Sequence, residues 1–194
     1  MNKKEHFRCP WCGDDPLYMQ YHDMEWGVPE FDDKALFAKL ILDGAQAGLS
    51  WITILRKREG YYKAFDKLDP HMMANYTDGD ILRLMQDTSI IRNRLKILAA
   101  IGNAKAYLNM QDAGISFSRF LWDFVDGVPI KNKWSTMQEV PAQTPLSLKM
   151  SKALQARGFK FVGPTIVYAF MQAVGMVNDH LTGCFRYPEL NAMS

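Results

Sequence analysis

The chain has 194 residues, 48% hydrophobic and 23% charged, which is enough to bury a sizeable core and ordinary for a globular protein. It has no apolar run of about eighteen residues, and its basic start, Met1-Asn2-Lys3-Lys4, is not followed by an apolar core. A transmembrane helix and a secretory leader are therefore not expected, and the predicted protein is cytoplasmic, without membrane contact. Three cysteines, an odd number, favour reduced thiols or metal ligands over a disulfide framework.

In chain order, residues 9–27 come first and are the most unusual stretch. Two cysteines, a histidine, Trp11, Tyr18, Tyr21 and Trp26 are mixed there with Asp14, Asp15, Asp23 and Glu25. Rings and carboxylates at this density can form a negative, ring-lined pocket suited to a flat cation. Asp32 or Asp33 caps a helix through Ala35, Leu36, Phe37, Leu40 and Ile41, loosened at its end by Gly44 and Gly48. A second helix starts near Ser50, with Trp51, Ile54 and Leu55 on one face. Asp69-Pro70 opens a short helix, and Thr77 or Asp78 caps one carrying Ile81, Leu82, Leu84 and Met85. A long helix runs from about Arg92 to Met110, with others at 116–125, 146–157 and 162–175. Residues 127–129 read as a turn and 140–145 as a loop. With no sustained alternation and no repeat, the fold class is all-α, any strands being short and peripheral. The length predicts one domain over residues 1–194, in two helical lobes.

The net charge of +2 hides an uneven distribution. Residues 1–50 hold five Lys/Arg against nine Asp/Glu, whereas 88–111 and 140–178 contain no acidic residue. Such a chain suits a surface that grips a polyanion beside a pocket that holds a cation. Residues 87–91, followed by Arg92 and Arg94, join two helices in a hairpin. Backbone N–H groups and a helix N-terminus there can hold a phosphate without reading sequence.

Cys9-x-x-Cys12 and His180-x-x-x-Cys184 each have the spacing of half a zinc site, with His22 and His6 as further candidates for four positions. A closed structural site is expected, since neither His-x-Glu nor His-Glu-x-x-His occurs. Asp43 follows the apolar run Leu40-Ile41-Leu42 and precedes a small, apolar stretch. A carboxylate placed there is partly buried and needs a cation or donors to stay ionised. No nucleophile elbow, P-loop or dinucleotide fingerprint is present. Gly158-Phe-Lys-Phe-Val-Gly163 is too degenerate for a nucleotide loop, although its amides can face a phosphate. An enzyme built this way needs a substrate that reacts with little acid or base assistance.

Eight segments, in order and spanning about residues 8–188, carry a resemblance. They are Cys9-Pro-Trp11, Asp15-Pro-Leu-Tyr18, Tyr21-His-Asp, Glu25-Trp-Gly27, Ala47-Gly-Leu-Ser-Trp51, Ile90-Ile-Arg-Asn-Arg-Leu-Lys96, Gly158-Phe-Lys-Phe-Val-Gly163 and Asn178-Asp-His180. Together they resemble the DNA-3-methyladenine glycosylase I family. The resemblance implies a helix-hairpin-helix DNA-repair fold, with a structural Zn2+ joining the N- and C-terminal segments through Cys9, His22, His180 and Cys184. It implies Trp11, Tyr18, Tyr21 and Trp51 as walls around an extruded base, with Asp43 as the catalytic and base-binding carboxylate. It further implies Gly48 and Leu49 as a wedge in the duplex, and Ser89, Ile90, Ile91, Arg92 and Arg94, with Lys160, as the DNA contact. The family often carries Glu in place of Asp43, which is shorter by roughly 1.5 Å, and Gly in place of Ser89. The function so implied is excision of 3-methyladenine from double-stranded DNA; a monomer with no organic cofactor is expected. The alternatives are a zinc-stabilised DNA-binding module without catalysis and a hydrolase of small cationic nucleosides.

Overall fold

The computed structural model describes residues 7–193, which hold ten α-helices, one of them central. Helix α1 (Pro16–Met24) is not anticipated from the apolar pattern. Its start is nevertheless well specified, because the Asp15 side chain accepts from the amides of Leu17 and Tyr18 at 3.0 and 3.1 Å and Pro16 occupies the first turn.

The central helix is α2 (Asp33–Gln46), packed by α3 (Trp51–Ala64), α6 (Arg94–Asp112), α7 (Phe117–Trp122) and α9 (Pro164–Ala173). Asp32 is its N-cap, accepting from Ala35 N at 2.8 Å. Asp33 turns the other way and caps α7 through Ser116 Oγ, Phe117 N and Ser118 N. Leu36, Phe37, Leu40 and Ile41 of α2 are buried, so the helix has no solvated face along that stretch. Gly44 does not end the helix, which runs on to Gln46. The chain leaves through Gly48, whose φ of +77° favours glycine.

The short α4 (Pro70–Met73) is capped by Asp69, and α5 (Asp78–Gln86) by the reciprocal pair Thr77 and Asp80. Helix α6 begins at Arg94 because Asn93 caps it, accepting from Lys96 N at 3.1 Å. The segment expected at 116–125 splits into α7 and a tighter turn, Asp123–Val125. α8 (Pro145–Ala156) and α9 both start at a proline, and α10 (Arg186–Asn191) is a further unanticipated helix. Two-residue strands β1 (Ile130–Lys131) and β2 (Val177–Asn178) pair in parallel. They are short, as expected, but β2 is not peripheral. Val177 and Asn178 are buried, and Asn178 Nδ2 holds Tyr187 O and Asn191 Oδ1. No helix among the described residues is long and apolar enough to cross a membrane.

Candidate functional site

The ring-rich segment 9–27 and the end of α2 meet at one cavity of about 330 Å3, within the usual size of a small-molecule site. Trp11, Tyr18, Tyr21, Trp51 and Asp43 all line it, so the sequence-predicted pocket residues share a single hollow. Trp11 packs edge-on to Tyr18 at 5.0 Å and to Trp26 at 4.9 Å, and Tyr21 meets Trp51 at 5.4 Å. Asp43 is 1% exposed. Its Oδ2 has no partner, nor do Trp11 Nε1 and Trp51 Nε1. All three residues line the cavity, and buried polar atoms without a protein partner mark a place where a ligand can complete the hydrogen bonding.

Two charged cavity residues escape the sequence reading. Lys39 is bonded to Asp43 Oδ1 at 2.5 Å and lies 3.8 Å from the centroid of the Trp51 ring. The available signal is its i,i+4 spacing to Asp43 inside an otherwise apolar run. Asp179 takes hydrogen bonds from Asn132 and Trp134 at 2.6 and 2.8 Å, and from Tyr168 and Gln172 at 2.6 and 2.8 Å. That saturation suits a carboxylate held rigidly on the wall. Burial lifts Asp43 above the ordinary carboxylate range, and the Lys39 charge opposes it. Burial also raises the Tyr21 phenol well above its ordinary value, with the Asp43 charge adding to it.

Behind the pocket, four side chains of the two chain ends converge. The donor atoms of Cys9, His22, His180 and Cys184 lie within 4.8 Å of one another, and all four residues are buried. Cys184 Sγ is 3.5 Å from His22 Nε2 and 3.5 Å from His180 Nδ1, and Cys9 Sγ is 3.6 Å from His180 Nδ1. A tetrahedral zinc with ordinary Zn–S and Zn–N lengths sets sulfur and nitrogen about 3.5 Å apart, so this donor set fits a metal. The partners behind the donors suit one too. His22 Nδ1 meets Asp23 at 2.8 Å, and Arg8 in turn grips Asp23; His180 Nε2 meets Trp26 O at 3.1 Å. Burial pushes Asp23 up, but its bonds to Arg8 and His22 bring it below the ordinary range. The two thiols lie close enough to perturb each other, Cys9 being raised and Cys184 lowered, and a bound metal would take both as thiolates. Cys12 stands apart from the cluster, its thiol donating to Cys9 O at 3.2 Å. His6 lies outside the described residues.

The predicted nucleic-acid contacts divide. Leu49 is 40% exposed beside Gly48, and Ser89, Arg92, Arg94 and Lys160 are exposed. Ile90 is buried, however, and Ile91 N donates to Tyr61 OH at 3.2 Å. Ser89 N is taken by Asp87 at 2.8 Å. Both isoleucines thus anchor the hairpin, and part of its backbone is already committed. The amides of Gly158, Phe159 and Lys160 are likewise donated internally, which leaves the Lys160 side chain as that loop's charged group. Lys96 ties the start of α6 to the end of α2 by donating to Ala45 O and Ala47 O, both at 2.7 Å.

This chain belongs to the methyladenine glycosylase family, whose model matches residues 11–187. It is 54% identical over 181 residues to DNA-3-methyladenine glycosylase 1 of Escherichia coli (strain K12), covering 93% of this chain and 97% of that one. The crystal structure of a 3-methyladenine DNA glycosylase I matches with a TM-score of 0.93 at 53% identity, covering 94% of this chain and 100% of that one. A variant of 3-methyladenine DNA glycosylase I in complex with 3-methyladenine matches with a TM-score of 0.90 at 39% identity, over 93% of this chain and 97% of that one.

Proposed function

We propose that this protein is a monofunctional DNA-3-methyladenine glycosylase that removes the cationic alkylated purine after it has been extruded from duplex DNA. The observation that carries the reading is the shared cavity, with its aromatic lining and the unpartnered Asp43 Oδ2. N3-methylation gives adenine a positive charge, so the glycosidic bond already has a good leaving group. The bond breaks with its electron pair passing to the purine, whose charge is thereby cancelled. Water adds to the sugar carbon and loses a proton. What the protein supplies is recognition and exclusion of water. Ring contacts with a cation are worth about 0.5–2 kcal/mol each, and Asp43 Oδ2 adds a charge-assisted hydrogen bond. Neutral adenine gains less from both.

On the duplex side, Gly48 and Leu49 form the wedge, and Arg92, Arg94 and Lys160 neutralise phosphates around a helix-hairpin-helix unit made by α5, residues 87–93 and α6. Support comes from the exposure of those side chains and from the Lys96 tie between wedge loop and hairpin. In this reading the protein acts as a cytoplasmic monomer, one glycosylase domain over residues 1–194. Cys9, His22, His180 and Cys184 hold a structural zinc, which fixes the back of the pocket and takes no part in the chemistry.

Incubation with methylated duplex DNA, followed by chromatography, tests the function. Free 3-methyladenine is the expected product. A protein that binds the duplex and releases no base would be a silent DNA-binding module instead.

A further inference from the structure

Lys39 sits in the apolar run of α2, one turn before Asp43, with its side chain 17% exposed. The two form an ion pair whose carboxylate is 2% exposed, and the ammonium also lies over the Trp51 ring. A carboxylate removed this far from water needs an opposite charge or several hydrogen-bond donors to stay ionised, and Asp43 has Lys39 in place of the donors that hold Asp179. The other groups around the pair come from several elements. Tyr21 approaches from α1, and Glu25 follows α1 but is gripped by Arg58 of α3, with Nη2 at 3.0 Å. Tyr168 of α9 and Asp179 share the cavity wall, and Asp179 has its own four donors. Lys39 is the only cationic side chain bonded to Asp43 among the described residues.

We propose that Lys39 is a positioning residue of the base pocket, which keeps Asp43 charged, occupies its Oδ1 and so reserves Oδ2 for the damaged purine. The inference rests on the pocket reading given above. Burial lifts Asp43 and lowers Lys39, and each charge opposes the shift of the other. Removing the ammonium leaves the burial effect on Asp43 unopposed. The acidic form then persists to higher pH, and a neutral carboxylic acid is a poor acceptor for a cationic base.

The test is the pH dependence of kcat/KM for base release from methylated duplex, which reports ionisations of the free enzyme. The substrate carries a fixed charge and does not contribute to the acid limb. Lys39→Met, close to lysine in length, is expected to move that limb upward by about one to three pH units. Lys39→Gln, which keeps a donor without the charge, carries the same expectation if Lys39→Met does not fold. Lys39→Arg keeps the charge and should leave the limb near the wild-type position. A limb unmoved in Lys39→Met or Lys39→Gln, or one displaced in Lys39→Arg, overturns the proposal. Asp43→Asn separates the two levels of inference: it should lose excision about 10- to 100-fold. Full excision by Asp43→Asn would overturn the pocket reading itself. Lost excision there, with no shift on neutralising Lys39, overturns only the role of Lys39.

Discussion

Among single residues, Gly60 shows how local preference yields to packing. It lies inside α3, where alanine is ordinarily more favourable by about 1 kcal/mol. Here a Cβ would meet Ser89 O at 2.5 Å and Ser89 Cβ at 2.7 Å. The hairpin is seated directly on the helix, held further by Lys57 Nζ on Thr88 O at 2.7 Å. Gly60→Ala should therefore lower thermal stability despite the gain in propensity, and should weaken binding of undamaged duplex several-fold by displacing residues 87–93. Melting and a fluorescence titration with DNA check both effects. An unchanged or raised melting temperature would mean that the hairpin yields without cost.

At the scale of elements, caps decide where helices begin, and some caps come from far away. Asp33 accepts three hydrogen bonds at the start of α7, joining residues more than eighty positions apart. Asp33→Ala should cost about 1–2 kcal/mol in denaturant unfolding; a loss near zero would mean that solvent replaces the cap. Local signals explain why most helices are readable in the sequence. Asp32, Thr77 and the proline at 70 mark starts that the structure keeps. The same Asp-Pro signal stands at Asp15-Pro16, but the mixed rings and acids of α1 give no clear apolar stripe, and the helix is obscured. The pocket side chains are legible for a related reason, since aromatic residues and an acid in an apolar setting need explaining. Lys39 is not, because lysine within a helix ordinarily reads as a solvated face, and its burial depends on α3 and the segment after α1 closing over it. Asp179 is hidden similarly: its four donors come from residues 132, 134, 168 and 172.

For the molecule as a whole, the Cys/His cluster ties residues 9 and 22 to residues 180 and 184. Purified protein is expected to carry one zinc per chain by elemental analysis. Chelation should lower the melting temperature by about 5–10 °C, as for a loss of a few kcal/mol in a chain of this size. Metal-free protein that melts at the same temperature as the untreated sample would remove the zinc from the account. The cluster also stands directly behind the cavity, because Trp26 lines that cavity while its carbonyl meets His180 and its ring packs on that imidazole at 4.6 Å. Leu181 N reaches Cys9 Sγ across 172 positions. Contacts of such long separation pay the largest loop-closure entropy and form late. A nascent chain thus makes Trp11 and Trp26 long before residues 180–184 exist to back them, so this wall of the cavity stays unsupported until that later segment has emerged.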